Sequence, residues 1–200
     1  MAERRQRDKE QTIREVLAAA RRLFSRKGLH GTSLRDIEAA SGVSKGLILH
    51  HFESKENLYA FVQDQLLQEY TTWMAARRSE SADDLQELVT TAIREALSYL
   101  KQHDDFRRIA LWSYLEGQER SSDLGSRFTI NLIETMHAGQ QSGLVREDID
   151  PFLMPFLVRG TIDYWIRSES LREEIHPGGE REHKVSDEDL VEALVKLLLK

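Results

Sequence analysis

With 200 residues, 40% of them hydrophobic and 31% charged, the chain has the composition of a folded, core-forming protein. No stretch reaches the roughly 20 apolar residues that a membrane span requires. The absence of cysteine excludes disulfides and thiolate metal sites and points to a reducing cytoplasm. The net charge of −6 is unevenly spread. Residues 1–55 hold 12 Lys and Arg against 7 Asp and Glu, a net of +5, and residues 56–200 hold 16 against 27, a net of −11. A basic head on an acidic body suits a phosphate-seeking segment. An unevenly solvated surface gives the same count.

Apolar residues recur at three- and four-residue spacing almost throughout, and alternating runs are missing, so the chain is predicted to be all-α, with about nine helices. The opening MAERRQRDKEQ leads into an amphipathic helix and not an apolar block, so no secretory leader is expected. In the first helix Ile13, Val16, Leu17, Ala20, Leu23 and Phe24 form one stripe, and Gly28 ends it after Arg26 and Lys27. Ser33 with Asp36 forms a capping box that opens a short second helix bearing Leu34, Ile37 and Ala40. Ser41-Gly42-Val43 breaks the chain. Ser44 then caps a third helix, Lys45 to about His51, and Ser54 caps a long fourth, Lys55 to about Arg78.

Further on, Ser81 with Asp84 opens a helix to about His103, a segment from about Asp105 to Gly117 follows, and another runs from about Ser122 to Gln141. Asp150 is placed to cap a helix beginning at Pro151 and continuing to about Leu171. Arg172 to Val185 is expected to be a mobile loop. Ser186 with Asp189 caps the last helix, whose stripe is Leu190, Ala193, Leu194, Leu197 and Leu198.

Two short helices joined by a tight glycine-containing turn, with a helix packed before them, are the signature of a helix-turn-helix. Val43, Ile48 and Phe52 have the spacing to close a small core with Leu34, Ile37 and the first stripe. The third helix then offers its N-terminal end and outer face to a major groove. Lys45 sits at that end, within reach of guanine acceptors or a phosphate. The starts of the second, third and fourth helices are expected to bind phosphates through backbone N–H groups, helped by the hydroxyls of Thr32, Ser33 and Ser44 and by the cation of Lys55.

The run from Gly31 to Leu58, GTSLRDIEAASGVSKGLILHHFESKENL, resembles the DNA-binding region of the TetR family of bacterial repressors. With the first helix the resemblance covers about residues 10–60. It rests on helix lengths, Gly42, Ser44-Lys45-Gly46, His51-Phe52 and Ser54-Lys55-Glu56 with Leu58. The family usually carries a phosphate-contacting Tyr where this chain has Leu49, which cannot donate a hydrogen bond. His50 or a backbone N–H takes over that contact, or it is lost. Leu47, Ile48 and Leu49 are consecutive, and one helix face cannot bury all three. Ile48 has the core spacing. Leu47 therefore either faces outward, where a thymine methyl is a suitable partner, or packs on the first helix.

The resemblance implies a three-helix head, residues 1–54, and a larger helical regulatory and dimerisation domain, residues 55–200. It also implies a homodimer on a palindromic double-stranded operator, released by a small, largely apolar ligand. Tyr99, Trp112, Asn131 and Tyr164 are candidate pocket residues. They belong to an aromatic set (Tyr70, Trp73, Tyr99, Phe106, Trp112, Tyr114, Phe128, Tyr164, Trp165) that also reads as ordinary core. Phe152 and Phe156, with Leu190, Leu194 and Leu197, are candidates for a four-helix dimer interface, the alternative being that their helices close the monomer core. The fourth helix, joining Lys55 to Trp73, is the expected lever between ligand and DNA.

Neither metal nor cofactor is expected. Adjacent His50 and His51 point about 100° apart on a helix and chelate poorly, and His103-Asp104-Asp105 reads first as a solvated helix end. No Gly-rich phosphate loop, nucleophile elbow or HExxH is present, which leaves an enzyme without a catalytic constellation. Besides the ligand-released repressor stands a DNA-binding protein with the same head and no pocket, controlled by a partner.

Overall fold

Several helices begin or end on a local hydrogen-bonding device. The computed structural model describes residues 2–77, 85–118, 123–175 and 185–200, and within them lie ten α-helices. Helix α1 (Ala2–Lys27) buries Val16, Leu17, Ala20 and Phe24, four of the six stripe residues. It stops at Gly28, whose φ of 69° is a left-handed conformation that suits glycine. Helix α2 (Leu34–Ser41) starts on the Ser33–Asp36 capping box, with Asp36 N–H donating to Ser33 Oγ at 3.1 Å and Ser33 N–H donating to the Asp36 carboxylate at 2.9 Å. It ends at Gly42, φ 73°, whose N–H reaches the Glu38 carbonyl at 2.9 Å. Helix α3 (Lys45–Phe52) is capped by Ser44, and α4 (Lys55–Ala76) by Ser54, which accepts from Asn57 N–H at 3.0 Å.

Beyond these lie α5 (Leu85–Gln102), α6 (Asp104–Leu115), α7 (Asp123–Gln141), α8 (Met154–Arg167), α9 (Glu169–Ile175) and α10 (Asp187–Leu198). The expected Ser81–Asp84 box and the start of a helix at Ser122 lie outside the described residues. So do Arg78 and most of the expected loop, residues 176–184. The rest of that loop is in part helical, because α9 runs through Arg172 to Ile175.

Helix α8 starts three residues later than predicted. The Asp150 carboxylate accepts Phe152 N–H at 2.8 Å and its carbonyl accepts Leu153 N–H at 2.9 Å, so Pro151–Leu153 is spent on a turn. The predicted single helix to Leu171 is broken at Ser168. There the Trp165 carbonyl accepts from the Ser168 hydroxyl at 3.3 Å and from the Arg172 guanidinium at 3.1 Å, and that guanidinium also lies 3.5 Å over the Trp165 ring. This break makes ten helices of the expected nine.

The helices form two packing units, Met1–Glu69 with His103–Ser122, and Tyr70–Gln102 with Asp123–Lys200. In the first, α1 packs on α2 and on α6, and α2 on α3. Its core holds Phe24, Leu29, Ile37, Ile48, Leu58, Tyr59 and Ile109, with Phe24 and Tyr59 edge to face at 4.9 Å. In the second, α10 packs on α5, and α8 on α5, α7 and α9. Tyr70 and Tyr99 sit 5.1 Å apart and edge to face, flanked by Phe128 and Trp73.

The last helix packs within its own chain. Leu190 and Leu194 are buried within their own protomer, with Val191, Val195 and Leu198, and Leu197 is half-buried. Their stripe faces α5. The placement is fixed at one end by ion pairs from Arg94 to Glu188 and from Lys101 to Asp187. At the other end Arg146 N–H donates to the Leu198 carbonyl at 3.0 Å and Lys200 N–H to the Leu144 carbonyl at 3.1 Å. Phe152 and Phe156, by contrast, are more than half exposed, at 57% and 54%.

Candidate nucleic-acid interface

The side chains of α3 divide by burial. Ile48 and Phe52 are buried, with Ile48 fully inside. Lys45, Gly46, Leu47 and His50 are exposed, and Leu49 is half-buried. Leu47, at 40% exposure, is therefore the outward leucine of the three. Lys45, Leu47 and His50 together give one exposed surface a cation, an apolar group and a ring with a donor and an acceptor. Those are the chemistries that read guanine, thymine and purine edges in a major groove.

The first N–H groups of α2 and α3 are partly used within the chain. Ser33 and Asp36 satisfy each other, and Asp36 is held below its ordinary 3.8 by the hydrogen bonds from the Ser33 hydroxyl and amide. At α3, Lys45 N–H donates to the Glu38 carboxylate at 3.0 Å and Leu47 N–H to Ser44 Oγ at 3.4 Å. The amides of Leu34 and Arg35 occupy the first two positions of α2, where a helix offers no carbonyl partner. Arg35 is exposed beside them, a cation that the motif reading passed over.

Two expected phosphate ligands face inward. Thr32 is 1% exposed, and its hydroxyl donates to the Gly28 carbonyl at 2.8 Å. The Lys55 ammonium donates to the carbonyls of Leu29 and Thr32, both at 2.7 Å. Both residues hold the α1–α2 corner together, because they bind the carbonyls of the loop between the two helices. Ser33 and Ser44 stay exposed at their caps. The His50 and His51 rings are 5.3 Å apart. His51 is held below its usual value by desolvation first and then by the charges of His50 and Lys9, which favours a neutral packed ring.

The four candidate pocket residues differ in unit and in burial. Trp112 lies in the first unit, against Gly28, whereas the other three lie in the second. There Tyr99 is buried in the aromatic cluster, while Asn131 and Tyr164 are exposed, Tyr164 at 61%. An aromatic residue at helical spacing is buried or displayed by its neighbours, and its spacing alone does not distinguish the two.

An outward-facing recognition helix packed on a capped support helix, which itself packs on α1, defines a helix-turn-helix DNA-binding regulator. Residues 16–62 match the family model for bacterial regulatory proteins of the tetR family, and residues 84–195 match a tetracyclin repressor-like C-terminal domain. The HTH-type transcriptional repressor KstR2 of Rhodococcus jostii (strain RHA1) is 31% identical over 176 residues, spanning 82% of this chain and 80% of the relative. Among solved structures, a TetR family transcription regulator from Marinobacter aquaeolei VT8 superposes with a TM-score of 0.75 at 18% identity, covering 98% of both chains. AibR in complex with isovaleryl coenzyme A and operator DNA superposes with a TM-score of 0.66 at 20% identity, covering 94% of this chain and 97% of its own. The chain belongs to the TetR family of bacterial transcriptional regulators.

Proposed function

We propose that the protein is a cytoplasmic, homodimeric repressor that binds a palindromic operator and leaves it when a small, largely apolar ligand binds. It is a regulator and not an enzyme. The observation that carries the reading is the face of α3, where Lys45, Leu47 and His50 are exposed while Ile48 anchors the helix from behind. Residues 1–54 read DNA, and residues 55–200 bind the ligand and dimerise, with α6 serving the head. Ser33, Ser44 and the amides of Leu34 and Arg35 meet phosphates, with Arg35 adding charge. Lys45, Leu47 and His50 meet bases, and Leu49 lies at their edge. Thr32 and Lys55 act indirectly, by fixing the corner from which α2 starts.

Repression is supported by KstR2, named a transcriptional repressor, and response to a ligand by AibR, whose complex holds both isovaleryl coenzyme A and operator DNA. Dimerisation is supported by the face of α8 and the turn before it, where Phe152, Leu153, Phe156, Leu157 and Tyr164 are all exposed. An apolar surface of that extent is characteristic of an interface. A two-fold dimer then sets two heads on half-sites in successive turns of the duplex. The ligand acts by binding better to the state whose head spacing does not fit the operator, with α4 as the lever. The test is selection of a duplex from a randomised pool by the full chain. A palindromic sequence with half-sites about one helical turn apart is expected, and recovery of no preferred sequence contradicts the reading.

A further inference from the structure

Helix α6 follows α5 and precedes α7, yet it packs in the same unit as the DNA-reading head. Several polar contacts bind it there. Arg21 on α1 pairs with Asp105 and with Glu69. The Arg108 guanidinium donates to the Ser25 carbonyl at 2.7 Å, and the Tyr59 hydroxyl to the Ile109 carbonyl at 3.2 Å. At the far end of α6, Glu116 does something none of these does. Its carboxylate accepts the N–H of Leu29 at 2.8 Å on one oxygen and the N–H of His30 at 2.9 Å on the other.

Those two amides follow Gly28 in its left-handed conformation. Successive N–H groups after such a residue form a concave anion-binding nest. Here an internal carboxylate fills it. Gly28 is needed twice over. It supplies the φ of 69°, and a Cβ at this position would stand 2.5 Å from Glu116 Oε1 and 2.9 Å from the Trp112 ring.

From this corner the chain runs directly to the DNA-facing start of α2. The Leu29 and Thr32 carbonyls hold Lys55, the Thr32 hydroxyl returns to Gly28, and Ser33 is the N-cap. We propose that Glu116 is a positioning residue for operator binding. By clasping Leu29 and His30 it fixes the corner, and so aims Ser33 and the amides of Leu34 and Arg35 at the DNA backbone. This rests on α2 meeting phosphates as proposed above. It also carries a sign that electrostatics alone would reverse, since removing a negative charge from the head should by itself strengthen binding to a polyanion.

The experiment uses the full chain, the duplex that the wild type selects from a randomised pool, and a scrambled duplex of the same composition. Glu116→Ala is expected to weaken binding to the selected duplex about tenfold or more while binding to the scrambled duplex stays the same or tightens. Glu116→Gln, which keeps one acceptor oxygen and the shape, is expected to recover part of the loss. Unchanged affinity in both variants, or tighter binding to both duplexes, overturns the proposal. Without DNA, the amide proton resonances of Leu29 and His30 are expected to move in Glu116→Gln. Resonances that stay in place overturn the clasp alone. A wild type that selects no sequence overturns the function on which the clasp's role rests.

Discussion

Leu47, Ile48 and Leu49 show how much a single residue's direction decides. Their order alone requires one leucine outside, and burial identifies it as Leu47, with Ile48 at 0% exposure and Leu49 between them. On this account Leu47→Ala relaxes discrimination at one base position per half-site by about 1 kcal/mol, in line with the cost of one mismatched pair, and leaves affinity for scrambled DNA alone. Equal preference at every position, measured by competition with single-base operator variants, would refute the contact. Ser33→Ala, which removes the capping box, is expected to lower stability by ~1 kcal/mol, read in a denaturant titration. Caps of this kind are legible in sequence because each closes within four residues. Long-range side chains are not. Lys55 reaches carbonyls 26 and 23 residues away, and Glu116 reaches amides 87 and 86 residues away, so no local pattern announces either.

Among the elements, α8 and α10 carry similar apolar stripes and meet different fates. Periodicity establishes that each stripe must be covered, and it is silent on whether the cover comes from the same chain. The structure assigns α10 to α5 and leaves the α8 face exposed. Leu194→Ala is therefore expected to cost about 2–5 kcal/mol of stability without altering the dimer–monomer equilibrium. Phe156→Glu should do the reverse, shifting mass in light scattering towards the monomer while the folded helical signal persists. A dimer unaffected by Phe156→Glu would remove α8 from the interface.

The tie between α1 and α6 has its own pH dependence. Partial burial of Asp105 works against ionisation, but the hydrogen bond and charge of Arg21 outweigh it and hold the carboxyl below its ordinary 3.8. A depressed pKa gives stability that is present above the ordinary value and lost as pH falls through the lower, folded one. Melts of the wild type should fall across that acidic window more steeply than those of Asp105→Asn. Parallel curves would mean that the pair contributes nothing.

For the whole molecule, the all-α class, the head and its capped helices are readable from spacing, because a helix-turn-helix is built from neighbouring segments. The ligand site is not readable. Of its four candidates Tyr99 sits in a packed aromatic cluster while Asn131 and Tyr164 are exposed, and three-residue spacing does not encode which helices converge. The acidic body and the basic head also answer to different partners, and only the head's charge should appear in the salt response. The most direct test is therefore an anisotropy titration of the selected palindromic duplex, and of a duplex with one half-site scrambled, across a range of salt. Affinity for the intact site should fall linearly in log–log form, with a slope near −0.9 per phosphate neutralised and about twice that of the single half-site. A flat salt response, or equal affinity for both duplexes, would contradict a two-headed operator-binding repressor.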